Sequence, residues 1–375
     1  MTQNNNNIHT YPRPIMIAAG GTGGHVYPGL AVAKALEARG VQIIWMGTHK
    51  GLEARVIPAA NIEMAWLNVT GLRGKGLSTL IMAPIRVVMA LTQAIAIMIK
   101  HKPAAVLGMG GFVAGPGGLI AALMGKPILI HEQNAVSGLT NRLLSHLAKK
   151  ILQAFPKTFK KGITVGNPIR KEISAIAAPQ QRLDNRSDAF NLLIVGGSLG
   201  ALALNQTVPA ALALLDNSEH KINVLHQAGK STLDTAIQAY ENVGIEAEVT
   251  AYIEDMAAVY TWADLVICRA GAMTISELAA AGLASILVPY PHAVDDHQTA
   301  NAAYLANANA AILCPQKTLN ATSLAHELKA LFTDRDKIMQ MSCQARKLAK
   351  INATEAVADM CMQLAGYEQS PLKGK

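Results

Sequence analysis

The sequence predicts an α/β protein of two nucleotide-binding-type domains, each with a parallel sheet, that face a shared cleft. Four glycine-rich turns support this prediction, because each lies between an apolar run and an apparent helix: residues 20–25, 108–111, 196–201 and 269–274. A polar stretch with two prolines, residues 166–189, separates the first pair of turns from the second. Alternation of strands and helices is typical of parallel sheets with right-handed crossovers.

The composition agrees with buried parallel strands covered by helices. Of the 375 residues, 51% are hydrophobic but only 4% are aromatic and 15% charged. Cores of Ala, Val, Ile and Leu suit strands that are buried on both faces. A chain of this length is sufficient for two domains of ordinary size.

The first domain is expected over residues 14–170, after a disordered polar tail at residues 1–13. Its helix is predicted over Tyr27–Arg39, directly after the first glycine turn, and Gly40 follows as a candidate C-terminal cap. The predicted strands of this domain are Pro14–Ala19, Gln42–Met46, Ala104–Leu107 and Pro127–Ile130.

The second domain is expected over residues 190–350, after an interdomain linker at residues 171–189. The segment Gly166–Ala189 is expected to act as the hinge between the domains. A final helix at residues 351–366 is predicted to pack back onto the first domain. The predicted strands are Asn191–Val195, Ile222–Leu225, Leu265–Cys268 and Ser285–Val288.

The net charge favours some classes of partner, and the cysteines indicate the redox compartment. The formal net charge is +8, which favours anionic partners. Nucleic acid is disfavoured, because the basic residues are scattered and aromatic side chains for stacking are few. The four cysteines lie far apart without metal-type spacing, which indicates free thiols in a reducing compartment.

The apolar segment Leu77–Ile99 is nearly long enough to cross a bilayer. Pro84, Arg86 and Gln93 interrupt it, and a charge in the middle of a span is costly. We therefore expect an amphipathic or buried helix here and not a transmembrane span.

Glycine turns that precede helices are candidate seats for phosphates or polar sugars, since backbone N–H groups and the helix dipole favour negative charge. In the first turn, His25 could accept a proton from a sugar hydroxyl, or it could simply bond the backbone of a neighbouring strand end. In the third turn, Ser198 and the N–H groups near Gly200 and Ala201 form the better candidate phosphate site, and a turn without a ligand is the alternative.

The fourth turn allows two interpretations. Thr274 and Glu277 are spaced as a helix capping box, but a carboxylate at a strand end also often holds ribose hydroxyls. A nicotinamide cofactor is disfavoured, because neither Rossmann-type turn is GxGxxG and the second predicted strand ends without an acidic residue.

Two further polar segments follow apolar runs. His131, Glu132, Gln133 and Asn134 are expected at the sheet edge where open α/β sheets bind ligands, but they lack the second histidine of a zinc motif. The segment 295–298 could bind a cation or could start a solvated helix. The sequence predicts no metal site.

Six motifs in order closely resemble the MurG family of bacterial glycosyltransferases. The resemblance covers nearly all of the chain between Pro14 and Ala365. The motifs are Gly20–Gly29 (GGTGGHVYPG), Gly108–Gly118 (GMGGFVAGPGG), His131–Asn141 (HEQNAVSGLTN), Gly166–Arg170 (GNPIR), Gly196–Gln206 and Arg269–Gly282.

The resemblance implies a two-domain GT-B fold and an inverting transfer of N-acetylglucosamine from UDP-N-acetylglucosamine to the lipid-linked muramyl-pentapeptide, lipid I. The product is lipid II, so the family's role is in peptidoglycan synthesis and hence in cell shape and division. No cofactor is implied. The family acts as a peripheral protein at the cytoplasmic face of the bacterial inner membrane.

The resemblance also implies roles for individual residues. His25 matches the position proposed as general base. Arg170 and Ser198 would bind the diphosphate, Ile253 would offer its backbone to uracil, and Gln298 would hold the sugar. Thr22, Gly23 and Gly24 would contact the donor sugar and diphosphate, with Asn134 near the sugar. The nucleotide pocket would be lined by Ala272, Met273, Thr274, Ile275, Ser276 and Glu277, with Glu277 on the ribose.

The chain departs from the family at Leu199, where many relatives carry Gln, so a side-chain hydrogen bond is not expected there. The family's membrane-facing surface corresponds to residues 72–99, where Arg73, Lys75 and Arg86 lie among apolar residues and would attract an anionic membrane surface. Two other functions stay open on the same architecture: a UDP-sugar epimerase or hydrolase, and a catalytically silent nucleotide-sugar sensor.

Overall fold

The computed structural model describes residues 11–68, 83–184, 186, 189–197, 200–215 and 221–367. The chain divides into two compact units. Unit 1 comprises Met1–Ile169 together with Asn352–Lys375, and unit 2 comprises Arg170–Ile351. The predictions made for Ser198, Leu199, Arg73 and Lys75 lie outside the described residues.

Unit 1 is built on a seven-stranded parallel sheet in the order β3-β2-β1-β4-β5-β6-β7. The central strands are short and fully apolar, as burial on both faces requires. The strands are β1 Ile15–Ala18, β2 Ile43–Thr48, β3 Glu63–Leu67, β4 Ala105–Gly108, β5 Ile128–Glu132, β6 Lys150–Gln153 and β7 Ile163–Thr164. The helices are α1 Gly23–Glu37, α2 Glu53–Ala59, α3 Ala83–His101, α4 Gly111–Leu123, α5 Leu139–Leu144 and, from the end of the chain, Ala353–Ala365.

Helices cover both faces of this sheet. On one face, α1 and the C-terminal helix Ala353–Ala365 bury Val32, Leu36 and Val357 against the strands. On the other face, α3 and α4 bury Met98 and Val113. The order of strands is that of a doubly wound sheet, so the ends of β1, β4 and β5 lie side by side at one edge.

The C-terminal helix is also tied to unit 1 by charge. Arg39, just beyond the end of α1, forms ion pairs with Glu355 and with Asp359, the latter at 2.6 Å. After that helix, the ring of Tyr367 stacks on Tyr11 with a centroid distance of 4.4 Å. The first described residues therefore lie against the last ones.

Unit 2 contains a six-stranded parallel sheet in the order β10-β9-β8-β11-β12-β13. Its core is again aliphatic, with Leu192, Ile194 and Ile267 fully buried. The strands are β8 Phe190–Val195, β9 Ile222–Gln227, β10 Glu248–Thr250, β11 Leu265–Cys268, β12 Ala284–Leu287 and β13 Ala311–Leu313. The helices, numbered onward from unit 1, are α6 Lys171–Ser174, α7 Pro179–Leu183, α8 Leu202–Leu212, α9 Leu233–Asn242, α10 Met256–Trp262, α11 Ala272–Ala281, α12 His297–Ala306, α13 Ala321–Phe332 and α14 Arg335–Lys347; the helix Ala353–Ala365 is α15.

The stretch expected to be a linker, residues 171–189, contains the short helices α6 and α7. Arg182 holds it to the rest of unit 2 by donating hydrogen bonds to the carbonyls of Ala263 (2.8 Å) and Gly282 (2.7 Å). Arg186 adds hydrogen bonds to backbone carbonyls at the end of α10. Most of this segment is therefore anchored within unit 2.

The predicted α/β class with two parallel sheets is confirmed. The sequence missed the four edge strands, β3, β7, β10 and β13, and also β6, which lies next to the edge. These strands are short or carry charged and polar residues, as in the sequence of β6, KILQ, so they do not stand out as apolar runs.

Helix α3 has two different faces. Ala90, Ala94 and Met98 are buried in the core of unit 1, whereas Ile85 and Val88 are exposed by 53% and 59%. Its segment Pro84–His101 is the one helix among the described residues that is long and apolar enough to cross a membrane, by length and composition only. Its buried face shows that it is part of the fold of unit 1.

Candidate functional site

The first glycine turn places a helix N-terminus at the end of β1. Gly21 has a φ of +97°, which favours glycine, and α1 then begins at Gly23 with Thr22 at the cap position. The helix thus starts four residues before the predicted Tyr27, so Gly23 and Gly24 supply its first N–H groups. The carbonyl of Thr22 accepts the N–H groups of His25 and Val26.

The carboxylate of Glu53 stabilises this turn. It is fully buried and accepts hydrogen bonds from the Gly21 N–H (3.0 Å), the Thr48 N–H (3.0 Å) and the Thr48 hydroxyl (2.8 Å). A Cβ atom at Gly20 would lie 2.6 Å from this carboxylate, and one at Gly51 only 2.0 Å. The carboxylate therefore requires glycine at these positions and holds the turn in place.

The second glycine turn packs against the first. A Cβ at Gly111 would lie 2.4 Å from the carbonyl oxygen of Gly20, and one at Gly110 would lie 3.1 Å from the ring of His25. These two glycines allow the close approach of the β1 and β4 loops and leave room for the imidazole. Their conformation is explained by packing alone.

His25 contacts a side chain and not the strand-end backbone that one interpretation expected. Its Nδ1 lies 2.9 Å from Oε1 of Gln133, at the end of β5. Its Nε2 has no partner within the described part of the chain. The half-buried ring therefore presents one nitrogen to the sheet and keeps the other available.

The end of β5 is organised by a second buried carboxylate, Glu132. It accepts hydrogen bonds from the N–H groups of Asn134 (3.0 Å) and Gly138 (3.1 Å) and from the side chain of Asn141 (2.9 Å). Asn134, predicted to lie near the donor sugar, is half-buried in this loop. The glutamate is thus occupied by protein donors and acts as a loop anchor.

His131 is fully buried beneath the same loop. Its Nε2 lies 2.8 Å from the carbonyl oxygen of Gly166, and burial lowers the pKa of the imidazole to about 4. The ring is therefore neutral at neutral pH. It is a structural hydrogen-bonding group, and no metal ligands gather around it: the described ranges contain no cluster of three His, Cys, Asp or Glu side chains that could hold a metal ion.

In unit 2 the third glycine turn follows β8. Gly197 and Gly200 both have positive φ, and α8 begins at Leu202. A Cβ at Gly200 would lie 2.4 Å from the carbonyl oxygen of Ala228, so the turn lies tightly against the loop after β9. Gly197, Gly200 and the start of α8 are thus described on either side of the predicted phosphate position, Ser198, which lies outside the described residues.

A buried histidine supports that neighbouring loop. Asn205 donates to the carbonyls of Ala228 (3.1 Å) and Thr232 (3.2 Å), and its oxygen faces His226 Nε2 at 3.1 Å. The other ring nitrogen lies 3.0 Å from the hydroxyl of Tyr240. Burial lowers the pKa of His226 to about 3, so it too is neutral.

The fourth turn contradicts the capping-box interpretation. Helix α11 begins at Ala272 with Gly271 at the cap, so Thr274 lies inside the first turn and caps nothing. The Ser276 hydroxyl donates to the carbonyl of Ala272. Ile275 is fully buried, so it can reach a ligand only through its backbone, while Met273 and Thr274 are half-exposed.

Glu277 does not take part in a helix cap. Its side chain instead contacts two other side chains of unit 2. Its carboxylate lies 3.3 Å from the guanidinium of Arg170 and accepts the hydroxyl of Tyr260 at 3.3 Å. Burial raises the pKa of Glu277, and the Arg170 charge partly opposes that shift. The structure thus brings together the residues predicted for ribose and for diphosphate.

The remaining predicted residues lie on loops of unit 2. Gln298, in the first turn of α12, accepts the Tyr290 N–H at 2.9 Å. Asp295 and Asp296 precede it with positive φ values of +53° and +49°, and both are exposed, as in a solvated helix start. Ile253 lies in the segment between β10 and α10, and its side chain is buried.

Sequence reasoning missed Glu53, Gln133 as a partner of His25, and Tyr260. It looked for an acidic residue at the end of β2, whereas the carboxylate comes from the start of α2, six residues after Gly47. An acidic residue opening a short helix directly behind a glycine-flanked strand was the available signal. Tyr260 gave none, since a buried Tyr on a helix is common in cores.

Comparisons with known proteins match both units. The glycosyltransferase family 28 N-terminal domain matches residues 15–153, and the C-terminal domain of the same family matches residues 191–359. These two matches leave only the start, the middle segment and the end of the chain outside the family description.

Whole-chain relatives agree. Proteins from Alkalilimnicola ehrlichii and Methylococcus capsulatus are 52% and 51% identical to this chain, over 94% of it and 99% of their own length. Both are called UDP-N-acetylglucosamine–N-acetylmuramyl-(pentapeptide) pyrophosphoryl-undecaprenol N-acetylglucosamine transferase.

Solved structures give the same result. The crystal structure of Acinetobacter baumannii MurG matches with a TM-score of 0.83 and 42% identity, covering 94% of this chain and all of that one. A Staphylococcus aureus MnaA–UDP structure, at 15% identity and a TM-score of 0.64, shares the fold alone. With both family domains in order and relatives of half-identical sequence along its length, the chain belongs to glycosyltransferase family 28 and, within it, to the MurG transferases.

Proposed function

We propose that this protein transfers N-acetylglucosamine from UDP-N-acetylglucosamine to the lipid-linked muramyl-pentapeptide, lipid I, with inversion at the anomeric carbon, and so forms lipid II for peptidoglycan. One observation carries the proposal beyond the names of relatives. His25 stands at the N-terminus of α1, with its Nδ1 bonded to Gln133 and its Nε2 without a partner in the described residues. That is the arrangement a general base needs at a sugar-binding turn.

The reaction moves one proton and one glycosyl bond. The acceptor hydroxyl gives its proton to His25 Nε2 as its oxygen attacks the anomeric carbon of the donor. The bond from that carbon to the UDP oxygen breaks, and its electron pair leaves with UDP. Arg170 and the backbone N–H groups near Gly200 stabilise the growing charge on the diphosphate.

The other site residues hold the donor in this proposal. Thr22, Gly23 and Gly24 contact the sugar and diphosphate through the start of α1, and Asn134 and Gln298 bind the sugar. Ser198 adds a hydroxyl to the diphosphate. The turn at residues 272–277 lines the nucleotide pocket, and the backbone of Ile253 faces uracil. Binding ribose then requires Glu277 to share its carboxylate between the hydroxyls and Arg170.

We further propose that the protein works as a peripheral protein at the cytoplasmic face of the inner membrane. Exposed apolar side chains on α3, among them Ile85, Val88 and Ile99, support this proposal, with Arg86 on the same helix. Arg73 and Lys75 precede the helix in sequence. Apolar side chains enter the interface while basic groups attract anionic headgroups.

A transfer assay with labelled UDP-N-acetylglucosamine and lipid I tests the proposal. Labelled lipid II should form with the wild type, and His25→Ala should slow its formation by roughly two to four orders of magnitude while UDP binding is kept. Running the assay with and without magnesium tests whether a divalent ion assists. Release of UDP or of a new UDP-sugar without acceptor would favour the epimerase or hydrolase, and donor binding without turnover would favour the sensor.

A further inference from the structure

Two side chains connect the imidazole of His25 to a backbone carbonyl deep in unit 1. His25 Nδ1 lies 2.9 Å from Gln133 Oε1, and Gln133 Nε2 lies 3.2 Å from His131 Nδ1. His131 Nε2 lies 2.8 Å from the carbonyl oxygen of Gly166. Gln133 and His131 are fully buried, so bulk water does not compete for the hydrogen bond between them.

The direction of the chain is set at its buried end. A carbonyl oxygen can only accept, so His131 Nε2 carries the proton that is donated to Gly166. Because burial lowers the pKa of His131 to about 4, the ring is neutral and its Nδ1 has a lone pair. His131 Nδ1 is therefore an acceptor.

The amide of Gln133 then has one possible orientation. Its Nε2 faces two acceptors, His131 Nδ1 and the His131 carbonyl oxygen, both at 3.2 Å. The Nε2 group donates to them, which turns Oε1 toward His25. The Asn167 side chain also donates to the Gln133 carbonyl at 3.1 Å and holds the backbone there.

An amide oxygen cannot donate, so the hydrogen bond to His25 requires a proton on His25 Nδ1. We propose that Gln133 is a positioning residue that holds His25 in the tautomer with Nδ1 protonated and Nε2 free to accept a proton. This inference rests on the proposed function, in which His25 is the general base. A base in the other tautomer would present an N–H to the acceptor hydroxyl and could not take its proton.

The hydrogen bond between Gln133 and His25 is also kept when the imidazole of His25 is protonated. Once Nε2 has taken the hydroxyl proton, the imidazolium carries protons on both nitrogens, and Gln133 Oε1 continues to accept from Nδ1. An amide oxygen is a weaker partner than the carboxylate of a serine-protease triad, where disturbing the tautomer costs about 10⁴-fold in kcat. We therefore expect a smaller effect here, a loss of about 10- to 100-fold.

The test measures the tautomer and the kinetics of the full chain. In ¹⁵N-histidine NMR spectra, His25 of the wild type should show a protonated Nδ1 and an unprotonated Nε2 at pH 8. Gln133→Met has a similar volume but no amide, and should give a mixture of tautomers. Its kcat should fall about 10- to 100-fold while KM for UDP-N-acetylglucosamine stays within about twofold.

Gln153→Met is the matched control. Gln153 is equally a buried amide in unit 1, bonded to the Phe159 N–H (2.8 Å) and the Thr164 hydroxyl (2.9 Å), without a contact to His25. It should leave the tautomer and kcat unchanged. Equal losses in both variants would show that only packing was disturbed and would overturn the inference.

The NMR spectrum of the wild type tests the tautomer of His25 even if a variant fails to fold. His25 protonated on Nε2 would overturn the inference directly. Failure of the proposed function is distinguishable, since full transfer activity in His25→Ala would remove the base, and with it the catalytic role of Gln133, whatever the tautomer.

Discussion

The guanidinium of Arg170 lies 3.3 Å from a carboxylate oxygen of Glu277, so two residues predicted to hold different parts of one nucleotide are partners of each other. Arg170 is half-exposed, whereas Glu277 is almost buried and also bonds the Tyr260 hydroxyl. A diphosphate that binds Arg170 therefore has to share it with Glu277. Binding and the charge state of the glutamate are coupled for this reason.

Replacing Arg170 with Ala should weaken UDP binding and slow transfer together, because the same cation neutralises the diphosphate in the bound and the departing state. We expect a loss of about 10- to 100-fold in UDP affinity, measured by calorimetry. Lys171→Ala removes the exposed neighbouring cation and is the control. Unchanged UDP affinity in Arg170→Ala would show that the diphosphate lies elsewhere.

The same variant should change how stability depends on pH. Burial raises the pKa of Glu277 above 4.5, and Arg170 opposes that shift, so Arg170→Ala should raise it further. A raised carboxyl pKa stabilises the fold below pH 4.5, and that contribution is lost as the pH rises through the folded-state pKa. Urea unfolding between pH 4.5 and 8 should thus show a steeper decline with pH for Arg170→Ala than for Arg170→Ala with Glu277→Gln. Parallel curves would disprove the coupling.

Removing the carboxylate of Glu53 should destabilise unit 1. Glu53→Ala leaves the N–H groups of Gly21 and Thr48 and the Thr48 hydroxyl without their buried partner, at a cost of about 2–4 kcal/mol. This corresponds to a Tm lower by roughly 5–15 °C in a scanning-calorimetry experiment. The exposed Glu37→Ala should change Tm by less than about 2 °C. Equal shifts would mean that Glu53 does not hold the turn.

The two buried histidines should make the protein acid-sensitive. Both have folded-state pKa values, about 4 for His131 and about 3 for His226, below the usual 6.5. The neutral rings contribute stability above pH 6.5, and it is lost as the pH falls toward 4, on the order of 3 kcal/mol for each.

A histidine variant isolates one part of this effect. His226→Gln can still donate to Asn205 and accept from Tyr240, but it does not titrate, so its unfolding midpoint in urea should fall less between pH 7 and 4.5 than that of the wild type. The exposed His326→Gln is the control. A wild-type midpoint that is flat over this range would contradict the prediction.

The membrane proposal predicts a dependence on lipid charge. Replacing Arg73, Lys75 and Arg86 with Gln should reduce binding to vesicles that contain anionic lipid, by about 1 kcal/mol per charge, and leave binding to neutral vesicles unchanged. In sedimentation assays, the exposed triple Lys221, Lys317 and Lys347→Gln in unit 2 should behave as the wild type does. Equal binding of the wild type to neutral and anionic vesicles would exclude electrostatic docking.

The sequence predicted the parallel-sheet class and the order of the glycine turns because both depend on local patterns. Apolar strands such as Leu265–Cys268 stand out as short runs, and a glycine follows at Gly271, before the next helix. Contacts between residues that are far apart in the sequence could not be predicted from such patterns. Glu53 and Gly21, 32 positions apart, and His25 and Gln133, 108 apart, meet only through the order of the strands.

The helix start of the fourth turn shows a second limit. Thr274 and Glu277 have the spacing of a capping box, yet Gly271, with an extended backbone, is the cap residue and the helix begins at Ala272. The spacing of residues along the sequence could not choose between two cap positions three residues apart.

The stacked rings of Tyr11 and Tyr367 join the two ends of the described chain within unit 1. Unit 2, which is Arg170–Ile351, is therefore inserted between the two segments of the chain that form unit 1. A circular permutant that links the chain ends near Tyr11 and Tyr367 would keep unit 1 continuous, and a fragment of residues 170–351 would test whether the proposed nucleotide site lies in unit 2.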